Sequence, residues 1–290
     1  MKEKNKAIIE GAIHVAQRTR ADAVILAATL PEERDMLQGA LGQMARVFTT
    51  HAGLANAARE GEVLMLPEVR LRRRGRAKIA LLEGLAAGYL EPGERVVVIS
   101  GNEINGGTEL DTVAVVELNE DEDFLDIGAD APLALLRNVA DPATFDAVLG
   151  LCVELGREGK EGKSVGLLIT LGDAEAVLQH SHQLVLNPFE GHRDDDRCIL
   201  LPGARRALTE FSGMDGAFVV RRDGVIVAAG RYLQEMPPDH AVPPGLGARH
   251  SAAAGITAAT RCVAFAVSES TGDTRVFGGG RLLMTIEKND

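Results

Sequence analysis

Apolar positions along this chain recur with two periods that take turns. Ile8, Ile9, Ala12, Ile13 and Ala16 lie three and four residues apart and predict one face of a helix, and residues 23–28 (AVILAA) form an unbroken apolar run suited to a strand covered on both sides. Thr29 is placed to cap the next helix, with Pro31 in its first turn, Glu32 and Glu33 at its positive end, and Met36, Leu37, Ala40, Leu41 and Met44 as its apolar stripe. Strands are predicted at Arg46–Thr50 and 62–66, a helix over 79–89, and strands at 95–100 and 112–118. Helix and strand in alternation imply an α/β/α sandwich of three layers.

The later pattern is more mixed. Phe145, Val148, Leu149, Cys152 and Val153 mark an amphipathic helix ending at Gly156, followed by a strand at 164–170 (SVGLLIT), a helix at 204–212 and a strand at 215–220. Asp223-Gly224, set between AFVV and VIVAA, signals a two-residue hairpin. A helix is expected at 247–260, then a buried strand at 262–268 and a last strand pair near 274–276 and 282–286. The fold class read from these patterns is α/β, a three-layer sandwich followed by a second α/β domain built on a mixed sheet.

A chain of 290 residues exceeds one small core and suggests two domains. Residues 119–130 (NEDEDFLDIGAD) carry six acids and no base, too self-repelling to bury, so the division is set at 1–122, an acidic linker at 123–139, and 140–290. Residues 1–118 are nearly balanced, with 15 basic and 16 acidic side chains, which leaves most of the net charge of −11 to the remainder. That acidity, with only 8 Phe and 2 Tyr for base stacking, argues against nucleic-acid partners. No run reaches the ~18 apolar residues of a membrane span, and the opening residues lack the apolar core of a signal peptide. Cys152, Cys198 and Cys262 are odd in number and set in apolar runs, as buried thiols are in a reducing compartment. A soluble cytoplasmic protein is expected.

Three short segments carry candidate chemistry. Asp215-Gly216-Ala217 opens an apolar strand with a carboxylate, and Gly216 leaves backbone accessible to a ligand, although a turn aspartate is the plainer reading of DGA taken alone. Residues 243–251 (PPGLGARHS) run a Gly/Pro loop into an Ala-rich helix, where free amides, the positive dipole end and Arg249 suit phosphate oxygens. A capping loop with an exposed arginine accounts for it about as well. In Ser268-Glu269-Ser270-Thr271-Gly272 a buried strand ends in a carboxylate and three hydroxyls, which could equally be a polar turn.

Taken in order, DGA, LGARH opening a helix, and VSES-TG closing a strand resemble the diadenylate cyclase domain, the DisA-type nucleotide-binding domain. EGKSVGLLITLGD (161–173), LNPFEG (186–191) and DGAFVVRRDGVIVAAGRYL (215–233) extend the likeness over roughly 140–285. The first domain is similar to the C-terminal α/β domain of pyruvate kinase, through its opening helix and strand and through EPGERVVVISG followed by TELDTVAVVEL. The combined arrangement resembles that of archaeal-type diadenylate cyclases.

The resemblance implies an enzyme, a nucleotidyltransferase that joins two ATP molecules into cyclic di-AMP with release of two pyrophosphates. It implies Asp215 and Glu269 as carboxylates for Mg²⁺ or Mn²⁺, with Asp215 helping to activate the attacking hydroxyl. Gly216 and Ala217 would line the nucleotide pocket and Leu233 would pack on adenine. Gly247, Ala248, Arg249, His250 and Ser251 at the helix start, with Ser268 and Thr271 opposite, would surround the triphosphate. Two departures stand out: Ser251 where a second arginine commonly follows RH, and Ser270 where a second glutamate is common. They motivate an alternative, a nucleotide-binding regulator whose catalysis has decayed. A third possibility is a scaffold whose first domain oligomerises and binds an effector. Because one domain holds one ATP, a two-fold reaction requires two domains face to face, hence a homo-oligomer.

Weaker signals remain outside this set. Arg70, Arg72, Arg73, Arg74, Arg76 and Lys78 read as a solvated loop or an intersubunit contact before an anion site. His180-Ser181-His182 has strand-like spacing but no third partner for zinc, and Gly278-Gly279-Gly280 is more fitting as a turn than as a phosphate loop.

Overall fold

The computed structural model describes residues 2–28, 30–42, 46–50, 63–64, 71–104, 107–118, 139–234 and 247–288. The chain divides into two compact units, Met1–Ala129 and Asp130–Lys288. The expected linker at 123–139 lies, up to residue 138, outside the described residues.

The first unit orders its strands β3-β2-β1-β4-β5. Helix α1 (Glu3–Thr19) leads into β1 (Ala23–Leu26), and α2 (Pro31–Leu41) connects it to β2 (Arg46–Thr50). β3 (Val63–Leu64), α3 (Arg73–Ala86), β4 (Arg95–Ile104) and β5 (Gly107–Glu117) follow. β1 runs parallel to β2 and β4, and β5 returns antiparallel to β4. Val24, Leu26, Val97 and Ile99 face Ile9, Ala12, Ala16, Leu37 and Leu41 of α1 and α2. Val96 and Val98 point the other way and are buried too, with α3 lying against β4. An α/β sheet covered on both sides follows from these unbroken apolar strands.

Several expectations need correction here. Leu30 is the N-cap of α2 and makes no side-chain cap bond; Thr29 lies outside the described residues. The cationic run is not a loop: Arg73 to Lys78 form the first turns of α3, and Arg76 and Lys78 are buried. Their long aliphatic stems let arginine and lysine line an apolar surface, which residue-by-residue charge counting misses. Arg70 lies outside the described residues, as do residues 65 and 66 of the third predicted strand.

The second unit holds a seven-stranded mixed sheet, β12-β11-β10-β6-β8-β9-β7. Its elements are α4 (Pro142–Glu158), β6 (Leu167–Leu171), α5 (Ala174–Gln179), β7 (Ser181–Gln183), α6 (Pro202–Phe211), β8 (Ala217–Val220), β9 (Ile226–Leu233), α7 (Ala248–Ala259), β10 (Val263–Val267), β11 (Thr274–Gly278) and β12 (Arg281–Ile286). Strand alternation sorts the core onto two faces. Phe265 meets Phe145 of α4 edge-on at 5.4 Å, whereas Ala264 and Ala266 pack with Ala253, Ala254 and Ile256 of α7. Small residues on both sides let α7 lie close to the sheet, fixing where its first turn can stand.

The hairpin signals exchange places. Five residues, 221–225, separate β8 from β9, closed by Arg221 N to Val225 O at 2.8 Å and by Gly224 N to Arg221 O at 2.9 Å. Gly224 alone takes a positive φ of 89°, so Asp223-Gly224 is not a two-residue turn. The two-residue turn occurs at Gly279-Gly280, both at positive φ, between β11 and β12. Cys152 and Cys262 are buried as expected, but Cys198 is half-buried. His180 caps α5 and donates from Nδ1 to Ala176 O at 2.9 Å, while the His182 ring lies tilted against Tyr232 at 5.0 Å, so the pair does not share one strand face.

Candidate nucleotide site

Topology brings the three sequence segments to one end of the second sheet. β6 and β8 run parallel and begin there, and the antiparallel β10 ends there, with Val267 opposite Leu167. β9 returns to the same end, with Arg231 opposite Ala217, and β11 leaves from it. The start of α7 completes the rim. The result is a cleft of about 1400 Å³, and it is lined by Asp215, Gly216, Ala217, Leu233, Gly247, Ala248, Arg249, His250, Ser251, Ser268, Glu269 and Thr271. Each of the site residues that the resemblance implied is thus on one surface. Residues 243–246 of the Gly/Pro loop lie outside the described residues.

Local geometry explains each position. Asp215 is exposed just before β8. Gly216 has φ +97°, and a Cβ there would meet Arg231 N and Gly230 C of β9 at 2.7 Å. The glycine is therefore demanded by β9's backbone, not by room for a ligand as the sequence suggested. Gly247 is the N-cap of α7 and, among the described residues, no side chain bonds the helix start. His250 N already donates to Gly247 O at 2.9 Å, so an anion at the positive end of the dipole would be met by the amides of Ala248 and Arg249. Arg249 is 34% exposed and reaches Glu269 Oε2 at 3.3 Å, with Glu269 itself 64% exposed. Such a solvated pair is worth only ~0–1 kcal/mol, so a phosphate can replace the carboxylate at little cost.

The turn after β10 is held by its own backbone and by a hydroxyl–carboxylate bond. Gly272 N donates to Ser268 O at 2.8 Å, Ser268 N to Asp273 O at 2.9 Å, and Thr271 Oγ1 to Asp273 Oδ2 at 2.6 Å. Leu233, only 4% exposed, belongs to the floor of the cleft and to the core together.

His250 is 5% exposed, and its pKa is pushed down to about 4 by burial and by the nearby Arg275 and Arg249, against a smaller opposing effect of Asp273. The ring is therefore neutral at pH 7 and offers a phosphate a hydrogen bond, not a charge.

Sequence reasoning missed Arg231, Tyr232 and Arg275, which also line the cleft. Arg231 donates to Leu178 O at 2.8 Å and to Ser181 O at 2.7 Å, and burial pulls its pKa down. Its guanidinium is thus committed to the β7 edge and not to a ligand. Tyr232 is 41% exposed beside Leu233. Arg231 and Tyr232 lie in the 215–233 segment already singled out and Arg275 in the strand predicted at 274–276, but no spacing announced that these side chains would reach the cleft.

Among the described residues no group of three or more His, Cys, Asp or Glu side chains could hold a metal ion. Asp215 and Glu269 are hard oxygen donors on the cleft wall, a set that fits Mg²⁺ or Mn²⁺ only with phosphate oxygens and waters completing the shell.

The sequence of this sheet has known counterparts. Residues 154–282 match the DAC family, "DisA bacterial checkpoint controller nucleotide-binding". Residues 4–125 match a second family, "Probable sensor domain DacZ_P". The DAC match spans all three cleft segments. A diadenylate cyclase of Methanocaldococcus jannaschii is 34% identical over 207 residues, 71% of this chain and 64% of that protein. One of Haloferax volcanii is 40% identical over 148 residues, 51% of this chain and 54% of that protein. The chain thus spans less than two thirds of either curated relative. A solved structure of a hypothetical membrane-spanning protein from Bacillus cereus overlays with TM-score 0.39 at 22% identity, covering 53% of this chain and 68% of that one. Among the described residues no helix is long and apolar enough to cross a membrane.

Proposed function

We propose that this chain is a diadenylate cyclase, joining two ATP into cyclic di-AMP with release of two pyrophosphates. The observation that carries the reading is the convergence of Asp215, the uncapped start of α7 with Arg249, and the Ser268–Thr271 turn on one cleft large enough for a nucleotide. Its opposed walls have opposite chemistry: backbone amides and a guanidinium for phosphate oxygens, and a carboxylate at the strand start for the reacting hydroxyl. Ala217, Leu233 and Tyr232 supply the apolar and aromatic surface on which a base can lie.

In this reading Arg249 exchanges Glu269 for the triphosphate, and Asp215 and the freed Glu269 are the residues that would hold Mg²⁺ or Mn²⁺. A divalent ion bound there would offset the charge on the phosphate oxygens. Asp215 orients the ribose 3′-hydroxyl and draws on its proton. The α-phosphate being attacked belongs to a second ATP, so two clefts must face each other and the working unit is a homo-oligomer. The first unit, which matches the sensor family and whose opening resembles the pyruvate kinase C-terminal domain, would assemble the protomers or receive an effector in the cytoplasm, joined through the acidic 123–139 stretch. A decayed regulator is not favoured, since Asp215, Arg249 and Glu269 all remain on the cleft wall.

The test is incubation of the purified chain with ATP and Mg²⁺ or Mn²⁺, with cyclic di-AMP resolved by chromatography. Product is expected from the native chain and is expected to vanish in Asp215→Asn, whose exposed position leaves the fold intact. ATP binding without product from the native chain would overturn the proposal.

A further inference from the structure

Arg275 enters the cleft from β11 and is 16% exposed. Its Nη1 lies 3.2 Å from His250 Nε2. A guanidinium has five donors and no acceptor, so in this contact Nε2 must accept. A neutral imidazole has one proton, which is then left on Nδ1. Nδ1 is itself buried and, among the described residues, has no hydrogen-bond partner. A buried N–H without an acceptor is costly and uncommon in a folded protein, and it marks a group set aside for a ligand more readily than a satisfied core histidine.

The arginine is in turn fixed. Its Nη2 donates to Asp273 Oδ2 at 3.3 Å, and the same oxygen accepts from Thr271 Oγ1 at 2.6 Å, while Oδ1 accepts from Lys288 N at 3.1 Å. A chain of hydrogen bonds therefore runs Thr271, Asp273, Arg275, His250. It ties the turn that carries Ser268 and Glu269 to the helix start that carries Arg249. The Phe277 ring, 6.2 Å away and tilted, closes the apolar side of the imidazole.

We infer that Arg275 is a positioning residue: by donating to Nε2 it commits His250 to the Nδ1–H tautomer, and His250 then serves as a neutral hydrogen-bond donor to a phosphate oxygen of the bound nucleotide. The identity of that acceptor rests on the function proposed above; the tautomer does not. Charged groups facing the ring are Arg275, Arg249 and Asp273; burial and the two arginines keep the imidazole uncharged against the smaller opposing pull of Asp273.

The chain has seven histidines, so ¹⁵N-histidine labelling with long-range ¹H–¹⁵N spectra resolves the ring, assigned by loss of one signal in His250→Gln. At pH 7 without nucleotide, His250 is expected to show a protonated Nδ1 and an unprotonated Nε2; an Nε2–H tautomer or an imidazolium would overturn the inference. A non-hydrolysable ATP analogue should shift the Nδ1–H resonance, and an unmoved resonance under saturating analogue would also overturn it. In Arg275→Met the tautomer should become mixed and kcat should fall by about tenfold to a hundredfold, the worth of one hydrogen bond to a charged group, with KM changed less than about threefold. Arg275→Lys keeps a donor and should recover part of the loss. If Arg275→Met does not fold, the native spectrum and the Lys variant decide. Absence of cyclic di-AMP from the native chain, with the tautomer as expected, would count against the proposed reaction and leave the Arg275–His250 geometry standing.

Discussion

Gly166, just before β6, sets where Arg249 can be. A Cβ built on Gly166 would stand 2.6 Å from Arg249 Cζ and nearer still to Nη1. Ordinary contact begins at 3.4 Å, so Gly166→Ala must drive the guanidinium outward by about 0.8 Å or more. The obstructed atoms are the far end of a flexible side chain and the position has no left-handed φ, so the fold can absorb the change. Replacing glycine at a compatible position even gains about 0.4–1 kcal/mol by restricting the unfolded chain. Catalysis has no such freedom. A displacement of this size at a positioning group costs up to about a hundredfold in rate, equivalent to roughly 2.7 kcal/mol of barrier. Gly166→Ala is therefore expected to lower kcat/KM for cyclic di-AMP formation by about tenfold to a hundredfold while leaving the melting temperature unchanged or slightly raised. Steady-state kinetics with ATP and a thermal melt on the same preparation read both. Native kinetics in the alanine variant would refute the role given to Arg249, and a large fall in melting temperature would refute the claim that only its side chain is displaced.

Three further outcomes are expected. Arg249→Ala should raise KM and lower kcat together, because the guanidinium grips phosphate before and during reaction; unchanged kinetics would remove it from the site. Specific activity should rise with enzyme concentration at high dilution, as a reaction shared by two facing clefts requires, and a flat profile in a sample that sedimentation shows to be monomeric would exclude the shared site. Stability should respond to acid through His250: its pKa falls from 6.5 to about 4 on folding, so its contribution is complete above about 6.5 and is lost as pH falls toward 4. Thermal melts from pH 7 to 4 should show a shallower decline in His250→Gln than in the native chain, and identical slopes would mean that the ring is not held neutral in the fold.

Much of the architecture was legible because burial writes itself into spacing. The apolar run at 23–28 and the stripe through Ile9, Ala12 and Ala16 predict β1 and α1, since a strand covered on both faces and a helix covered on one have few other ways to exclude water. The candidate site segments stood out for a different reason: an aspartate before a strand, a glycine-started helix and a hydroxyl-rich strand end each read as well as plain turns and caps when taken alone, and only their order along the chain set them apart. What spacing could not convey was partnership across the sheet. A Cβ on Gly224 of the β8–β9 loop would stand 3.3 Å from Thr144 Oγ1 and Cys198 Sγ, which belong to other segments.

The same holds inside the cleft. Sequence alone determined that Asp215, Arg249 and Glu269 exist in segments able to present them, and that His250 follows Arg249 at a helix start. Only the tertiary structure decided that β6, β8 and β10 bring those segments to one end, that Gly216 yields to β9 and Gly166 to Arg249, and that Arg275 meets His250. Each of these is a contact between residues distant along the chain, fixed by strand register and close packing, and a linear pattern records neither.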